Sequence, residues 1–262
     1  MKIVVDEKYQ HLTDTIARLP QRMDDGEGEM VYDSRNRVVR FTVDGLSLMV
    51  KRFKRVNAVQ QVVYTFFRKT KAERAILFAT EYLKRGIDTP QPVAYLEERH
   101  HGLFTTGYFV SLETPGTETS LLLREVQDYP RDLAEAVARQ VVLMHSKGIL
   151  HGDLNLSNFL VTSFPSSREE GCPKGGVVGS YHFTMIDTNR SHFCDGFPSD
   201  NECLKNMVRL THRRDLYEDL VRRYALLRGW NADETARHSL ALLTPFRASQ
   251  AEVISWFVQQ RR

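Results

Sequence analysis

The sequence predicts an α+β protein with two lobes, a small antiparallel β-sheet lobe followed by a largely helical lobe. Three observations predict this arrangement. Residues 30–53 contain three apolar segments of strand length that are joined by hairpin-type turns. Residues 130–148 and much of the chain after residue 203 repeat apolar side chains at helical spacing. Between these regions, a polar loop at 151–158 is flanked by apolar segments, as expected for a loop held between a helix and a strand.

Composition places the chain among ordinary globular proteins. Its 262 residues are 42% hydrophobic and 26% charged, which excludes a disordered chain and allows a core in each of two lobes. The formal net charge of +3 is too small to indicate a nucleic-acid partner. No apolar run approaches the ~18 residues that span a bilayer, and the first residues turn polar too soon for a secretory signal, so we expect a cytoplasmic protein. Cys172, Cys194 and Cys203 form no C-x-x-C pair, which predicts reduced thiols.

The first lobe is predicted to begin with a three-stranded meander. The strands are 30–32, 38–43 and 46–53, and the turns between them are 33–36 and 44–45. The first turn contains Asp33, Ser34 and Asn36, and the second is Asp44–Gly45; these residue types favour tight hairpins. The meander therefore forms one continuous antiparallel sheet.

A helical segment and two more strands complete this lobe. Residues 57–85 repeat apolar side chains as two helices, and Gly86 ends the second helix as a C-cap glycine. Further strands are predicted at 92–97 and 106–113. The first lobe, with five strands and its helices, is assigned to residues 1–112.

The second lobe, residues 113–262, is predicted to be mainly helical. A helix over 130–148 begins at a proline, ends at a glycine and delivers the chain into the polar loop. Amphipathic helices fill most of the remainder, including an apolar segment at 253–257.

One hairpin interrupts the helices of the second lobe. Strands at 159–161 and 181–186 are predicted to pair. Their connection at 162–180 is much longer than a usual hairpin loop and is rich in Ser, Gly, Pro and Lys, which predicts a surface insertion.

The polar loop has the spacing of a phosphotransfer catalytic loop. Its sequence is HGDLNLSN, in which Asp153 and Asn158 occupy the H-x-D-x-x-x-x-N positions. In that chemistry the aspartate orients the attacking hydroxyl and accepts its proton, while the asparagine oxygen binds Mg²⁺. A polar turn without catalytic function could match this spacing by chance, so the loop alone does not decide the function.

Two more residues follow the order that protein kinases use. Asp187 ends the apolar strand 181–186, where a second Mg²⁺-binding carboxylate is expected. Lys51 ends the segment LMVK, which resembles the strand VAIK whose lysine reaches the α- and β-phosphates of ATP. Lys54 competes for this role, but strand residues three apart point to opposite faces, so only one lysine can face the nucleotide, and we expect Lys51. The order predicts a bilobal protein-kinase-like fold that uses ATP and Mg²⁺.

Two further contacts with the nucleotide are expected in the first lobe. Glu73 lies on the second helix at a distance suited to an ion pair with Lys51. Glu81 is the fallback partner, and a solvent-exposed glutamate is the alternative for Glu73. The sheet ends at Ser111 to Glu113, where a hinge would present its backbone to adenine.

The chain departs from protein kinases in several places. The turn at 33–37 has no glycine and is therefore not a G-x-G-x-x-G loop; its polar side chains either contact phosphate or form a solvated hairpin tip. Thr-Asn-Arg follows Asp187 in place of Phe-Gly, and no Ala-Pro-Glu follows it. These departures disfavour a segment that grips a peptide substrate.

Residues 51–74 contain eight basic residues and a single acidic one, Glu73. Such runs are commonly solvated faces. The alternative is a surface that contacts anionic lipid head groups, to which each basic residue contributes roughly 1 kcal/mol. Four aromatic residues lie in the same segment and fit either a membrane contact or the core: Phe53, Tyr64, Phe66 and Phe67.

The loop HGDLNLSN, the segment IDTNR at 186–190 and the segment GIDTP at 86–90 together resemble the bacterial lipopolysaccharide kinase (Kdo/WaaP) family of the protein-kinase-like fold. The resemblance covers roughly residues 30–225. It implies that ATP and Mg²⁺ are used to phosphorylate Kdo or heptose on a lipid A-linked core oligosaccharide. It also implies action at the cytoplasmic face of the inner membrane, where the basic segment 51–74 would allow peripheral contact with that anionic surface.

The resemblance assigns roles to individual residues. Asp153 is the expected catalytic base, Asn158 and Asp187 are the expected Mg²⁺ ligands, and Lys51 with its partner Glu73 positions the phosphates. Protein kinases usually have a lysine two positions after the catalytic aspartate, whereas Asn155 stands there, which suits a sugar or small-molecule acceptor. Arg190 is expected either to place charge near the acceptor or to form a structural ion pair.

Three alternatives stay open. A protein kinase acting on Ser, Thr or Tyr is disfavoured by the short segment after Asp187. A pseudokinase or adaptor at the membrane is disfavoured because all four polar catalytic positions are filled. A small-drug phosphotransferase shares the aspartate and asparagine, but it usually has an acidic acceptor pocket, and the basic surface argues against it.

Overall fold

The computed structural model describes residues 1–34, 36–164 and 180–243. The central part of the predicted insertion at 162–180 therefore lies outside the described residues. So do Arg35 in the glycine-free turn and the predicted helical segment at 253–257.

The chain forms two compact units. The first contains Met1–Pro115 together with Thr184–Arg190, and the second contains Gly116–Phe183 and the chain from Ser191 onward. The segment Thr184–Arg190, which the sequence assigns to the second lobe, belongs to the first unit. Its backbone explains this, because the N–H of Met185 donates to the carbonyl of Asp88 at 2.7 Å.

The first unit is built on an antiparallel sheet. Its strands are β1 (Lys2–Val5), β2 (Glu29–Asp33), β3 (Arg37–Val43), β4 (Leu46–Arg52), β5 (Pro92–His100) and β6 (Leu103–Leu112). Their order across the sheet is β1-β5-β6-β4-β3-β2. The expectation of five strands was wrong because the first residues of the chain, β1, pair with β5 and extend that edge.

The predicted tight turn between β3 and β4 is confirmed. Asp44 and Gly45 both have positive φ, at 49° and 77°, which is the backbone of a two-residue hairpin turn whose twist matches the strands. Val43 pairs directly with Leu46 across it. This register places Lys51 opposite Val38 and Phe109 in the middle of the sheet.

Helices cover both faces of this sheet. Helix α1 (Thr13–Asp24) buries Ile16 and Leu19 in a cluster that also contains Leu96 of β5. Helix α3 (Lys71–Lys84) packs Ala72 and Ala75 against Tyr95. Tyr95 and Leu96 are adjacent on one strand and point to opposite faces, so α1 and α3 lie on opposite sides of the sheet.

Between β4 and α3 the chain forms helix α2 (Ala58–Phe66), none of whose residues is buried. Thr70 then caps α3 by accepting a hydrogen bond from the N–H of Glu73 at 3.1 Å. Gly86 ends α3 as predicted: its φ is 74°, and the N–H of Ile87 returns to the carbonyl of Tyr82 at 2.9 Å.

The second unit is mainly helical. Its helices are α4 (Thr119–Leu123), α5 (Arg131–Ser146), α6 (Asp200–Met207) and α7 (Arg214–Leu227), and the chain is helical again over 232–243. It also contains short strands, the last two residues of β10 belonging to the first unit: β7 (Thr117–Glu118), β8 (Ile149–Leu150), β9 (Phe159–Phe164), β10 (Ser180–Met185) and β11 (His192–Phe193). The predicted pairing of β9 with β10 is confirmed. In the described part of the chain, no helix is long and apolar enough to cross a bilayer.

Candidate active site

In the first unit, Lys51 and Asp187 form an ion pair. Lys51 lies on β4, and its Nζ donates to Asp187 Oδ1 at 2.6 Å. The same ammonium lies 5.7 Å from the centre of the Phe53 ring, which packs with α3. Lys51 therefore projects from the α3 side of the sheet, and the carboxylate expected to bind Mg²⁺ is its partner.

The backbone of Asp187 is in the left-handed region, with φ at 59°. A residue with a side chain adopts this conformation at a small cost in energy, and Asp and Asn tolerate it better than most. The turn that follows, Thr188–Arg190, is a short 3-10 helix, and the Nδ2 of Asn189 donates to Asp187 Oδ1 at 3.3 Å. An ammonium and an amide thus hold the carboxylate at the end of β10.

Glu73, the expected partner of Lys51, contacts a different lysine in the structure. Its Oε1 lies 3.6 Å from Lys69 Nζ, one helical turn earlier. Glu81, the fallback, accepts a hydrogen bond from Arg85 at 2.6 Å. An ion pair between Lys51 and Glu73 stays a prediction, and it would require Lys51 to leave Asp187.

Lys54 points away from this ion pair. Together with the glycine-free hairpin, it lines a polar cavity of about 540 Å³. The backbone N–H of Lys54 donates to Asn36 Oδ1 at 3.3 Å, and Arg37 pairs with Asp33 at 3.1 Å. Of the polar side chains that this turn could offer to phosphate, those of Asn36 and Arg37 are thus engaged within the hairpin and its surroundings, and Arg35 lies outside the described residues. Nothing in the sequence had indicated this cavity.

At Ser111 to Glu113, where the chain leaves the sheet, backbone hydrogen bonds join it to neighbouring segments. The N–H of Glu113 donates to the carbonyl of Ser47, and that of Leu112 donates to Gln91, both at 2.9 Å. The Glu113 carboxylate accepts hydrogen bonds from Ser47 Oγ and from Arg40, and these lower its pKa. A contact with adenine at this exit would therefore use backbone groups other than these two N–H groups.

In the second unit, the polar loop brings Asp153 and Asn158 together. The Nδ2 of Asn158 donates to the backbone carbonyl of Asp153 at 2.8 Å, so the other atom of the amide, Oδ1, is the one able to bind a cation. The carboxylate of Asp153 accepts a hydrogen bond from Arg209 Nη1 at 3.3 Å. Arg209 follows α6 and was not singled out from the sequence.

Asn155 has a structural role in the loop. Asn155 Oδ1 accepts hydrogen bonds from the N–H of Ser157 at 3.1 Å and from the hydroxyl of Ser157 at 3.2 Å. This caps the 3-10 helix Leu156–Asn158. Asn155 therefore helps to place Asn158, and a direct contact with the acceptor stays a prediction.

A chain of buried polar groups supports the loop from beneath. The Nδ2 of Asn206 donates to the carbonyl of His151 at 2.7 Å, and Asn206 Oδ1 lies 3.2 Å from His145 Nε2. His145 Nδ1 lies 2.8 Å from the hydroxyl of Tyr224. Burial lowers the pKa of His145 to about 4, so the ring is neutral near pH 7. Its Nε2 then carries the proton for Asn206, and its Nδ1 accepts from Tyr224.

Sequence reasoning missed this chain of hydrogen bonds. The available signal was the presence of polar residues on otherwise apolar helix faces: His145 on α5, Asn206 on α6 and Tyr224 on α7. Spacing along one helix does not show which polar residues on different helices meet. Arg190, the other expected acceptor contact, is exposed at the end of the turn after Asp187, and its role stays a prediction.

Comparison with known proteins is consistent with these motifs. The model of the family described as lipopolysaccharide kinase (Kdo/WaaP) matches residues 26–192. A 3-deoxy-D-manno-octulosonic acid kinase of Vibrio cholerae serotype O1 is 22% identical over 98 residues, which are 37% of this chain and 41% of that enzyme. The match thus spans less than half of that relative.

Two solved structures are similar to this chain. The structure of WaaP in complex with acyl carrier protein is 20% identical, covers 96% of this chain and 99% of WaaP, and superposes with a TM-score of 0.58. A structure of Rio2 kinase from Chaetomium thermophilum is 13% identical, covers 89% of this chain and 75% of Rio2, and has a TM-score of 0.45. The WaaP match confirms the predicted α+β, protein-kinase-like fold.

Proposed function

We propose that this chain, which belongs to the lipopolysaccharide kinase (Kdo/WaaP) family, transfers the γ-phosphoryl group of ATP to a hydroxyl of an inner-core sugar, Kdo or heptose, on a lipid A-linked acceptor. One observation carries the proposal. The family match over residues 26–192 contains all four residues expected to act in catalysis: Lys51, Asp153, Asn158 and Asp187.

The role proposed for Lys51 is to bind the α- and β-phosphates. Its ion pair with Asp187 places the ammonium on the α3 side of the sheet. A phosphate oxygen is a strong acceptor for the same ammonium. Lys51 would therefore keep its orientation and add phosphate contacts when ATP binds.

Asn158 and Asp187 are proposed to bind Mg²⁺. A carboxylate and an amide oxygen are the hard oxygen ligands that this ion prefers. Because Asn158 Nδ2 donates to the Asp153 carbonyl, Asn158 Oδ1 is the amide atom able to bind the cation. When bound, Mg²⁺ would neutralise negative charge on the phosphates.

Asp153 is proposed to act as the base. Its carboxylate would accept the proton of the attacking sugar hydroxyl while the oxygen attacks the γ-phosphorus. Arg209 Nη1 donates to Asp153 Oδ1 at 3.3 Å, and this contact would favour one orientation of the carboxylate. The hydrogen bonds from Asn158 and Asn206 hold the backbone on either side of it.

The acceptor is proposed to be a sugar rather than a peptide. Asn155 stands where protein kinases place a lysine, and its side chain caps the loop. No Ala-Pro-Glu segment follows Asp187 in the sequence. The WaaP of known structure is bound to acyl carrier protein. For this chain, a carrier protein is therefore the alternative partner to compare with a lipid-linked one.

The test is turnover with defined acceptors. Purified protein with ATP and Mg²⁺ should release ADP in the presence of Kdo-lipid A or heptosylated Kdo-lipid A, and mass spectrometry should find one phosphate added to a core sugar. Transfer to peptides but not to these sugars would identify a protein kinase instead. Nucleotide binding without turnover on any core acceptor would identify a pseudokinase.

A further inference from the structure

Helix α2 has its apolar stripe on the outside. Val59, Val62 and Phe66 recur at helical spacing on one face of the helix. The exposed fractions of these residues are 73%, 42% and 69%, and Phe67, just past the helix end, is 77% exposed. A helix of a globular protein normally turns such a stripe towards the core. These four residues are called the α2 face below.

Contacts on the opposite side of α2 set this orientation. The hydroxyl of Thr65 accepts a hydrogen bond from the N–H of Phe104 on β6 at 2.9 Å and donates to the carbonyl of Gln61 at 2.6 Å. The ring of Tyr64 packs edge-on against Phe104, with 5.9 Å between ring centres. Because the side of the helix that bears Tyr64 and Thr65 is bound to the sheet, the α2 face must point to solvent.

Basic residues border the α2 face at both ends. Five exposed or half-buried cationic residues lie within a few positions of the helix: Lys54, Arg55, Arg68, Lys69 and Lys71. Over residues 54–74 there are six basic residues and one acidic residue, Glu73, which already pairs with Lys69. The border is therefore strongly cationic.

We propose that the α2 face is a membrane-docking surface that inserts into the interface of a bilayer containing anionic lipids. Protruding apolar side chains with a cationic border are the pattern of a helix that lies in a lipid interface. The apolar side chains enter the acyl boundary, and the cations contact the phosphates of the head groups. The proposal extends the proposed function, whose acceptor is anchored in lipid, and it places the docking surface on the unit that contains Lys51.

Two other occupants are possible in principle, an acidic protein and a second copy of the chain. Charge disfavours a second copy, because two identical cationic borders would repel each other. An acidic protein would also match the charge of the border. However, the rings of Phe66 and Phe67 lie edge-on, with 6.4 Å between their centres, and protrude into solvent as one small aromatic pair, which fits a fluid lipid interface better than a rigid partner. These occupants are therefore outcomes of the test.

The experiment is vesicle flotation of the full chain without ATP. The probes are vesicles of phosphatidylcholine alone and vesicles that also contain phosphatidylglycerol. We expect the wild type to float only with the anionic vesicles. The double variant Phe66→Ser, Phe67→Ser should weaken this binding about tenfold or more, because it removes two apolar side chains from the interface. Arg55→Glu, Arg68→Glu should weaken it similarly, and the loss should resemble the effect of high salt on the wild type.

Two matched controls accompany these variants. Leu226→Ser removes a similarly exposed apolar side chain, 67% exposed, from α7 of the second unit and should leave flotation unchanged. Lys8→Glu, Arg18→Glu changes the net charge by the same amount as the arginine variant but on other elements of the first unit, and should also leave flotation unchanged. Circular dichroism of each variant confirms folding before flotation.

The proposal is overturned if the wild type ignores anionic vesicles, or if the serine double variant floats as the wild type does. It is also overturned if vesicles do not bind but purified acyl carrier protein does, or if light scattering shows a dimer that the double variant dissociates. Failure of the proposed function gives a different result. Kinase activity on a deacylated, water-soluble acceptor would then be absent in the wild type, while vesicle flotation would persist.

Discussion

The ammonium of Lys51 and the carboxylate of Asp187 lie 2.6 Å apart, although 136 positions of sequence separate them. One group belongs to the middle of a sheet, and the other follows β10, which is tied to the loop after α3 by the bond from Met185 to Asp88. The pair brings together, in the first unit, the two side chains that are proposed to bind the nucleotide phosphates and their metal ion.

Replacement of Lys51 by methionine should lower kcat/KM for ATP about 100-fold or more, because a charge that stabilises the phosphates is lost from a preorganised position. Steady-state kinetics of ADP release measures this. The matched control is Lys54→Met, which removes a charge from the polar cavity and should stay close to the wild type. Equal losses in the two variants would mean that Lys51 has no special role. The thermal unfolding temperature should barely change, because the ion pair is partly exposed and contributes little to stability.

Replacement of Asp153 by asparagine should reduce phosphoryl transfer by about 100- to 10,000-fold, because an amide cannot accept the proton of the acceptor hydroxyl. Binding of ATP, measured by calorimetry, should remain near the wild-type value. Asp128→Asn, an exposed residue of the same unit, is the control for loss of one negative charge. Retained transfer in Asp153→Asn would refute the assignment of the base.

Arg209 is expected to act on catalysis through Asp153. Arg209→Met should lower kcat by about tenfold, since the base is then free to adopt unproductive rotamers, and should leave the KM for ATP unchanged. Arg209→Lys restores a cation at the same place and should recover part of the rate. A purely structural role would instead lower stability in both variants and would show no split between kcat and KM.

Because the imidazole of His145 is buried, we expect the free energy of unfolding to depend on pH in the acidic range. Burial, the largest cause, and the nearby charge of Arg228 together lower its pKa in the folded state to about 4, although its hydrogen bond with Asn206 favours the charged form. The unfolded chain therefore binds this proton at about pH 6.5, and the folded chain does so only at about pH 4. The contribution of the neutral imidazole to the free energy of unfolding is fully present above the pKa of the unfolded chain. It is lost as the pH falls from about 6.5 to about 4, by about 3 kcal/mol in total.

Urea unfolding at about pH 7.5 and at about pH 5 measures this effect. In His145→Gln the group no longer titrates, so the difference in unfolding free energy between the two pH values should shrink. His192, an exposed histidine of the same unit, provides the control His192→Gln, which should keep the wild-type difference. An unchanged difference in His145→Gln would mean that other groups cause the acid sensitivity.

Local features could be predicted from the sequence because neighbouring residues decide them. The tight turn at Asp44 and Gly45, the end of α3 at Gly86 and the loop with Asp153 and Asn158 all occur where the sequence places them. The alternation of a strand also predicted that Lys51 and Lys54 would have different surroundings, and Lys51 reaches Asp187 while Lys54 lines the polar cavity.

Features that depend on distant residues were decided only by the tertiary structure. The sequence suggested Glu73 for Lys51, yet the topology brings Asp187 to it, because β10 is bonded to the chain after α3. The contacts of Arg209 with Asp153 and of Asn206 with His151 join elements more than fifty positions apart.

The sequence by itself determined the fold class, the family and the order of the motifs that are proposed to act in catalysis, since these reside in periodicity and in short spacings. The tertiary structure alone decided which charges pair, which polar groups support the loop at Asp153, and that α2 turns Phe66 outward. The physical reason is that a hydrogen bond or a buried contact depends on distance in space. Distance along the chain predicts distance in space only within a turn or a helix.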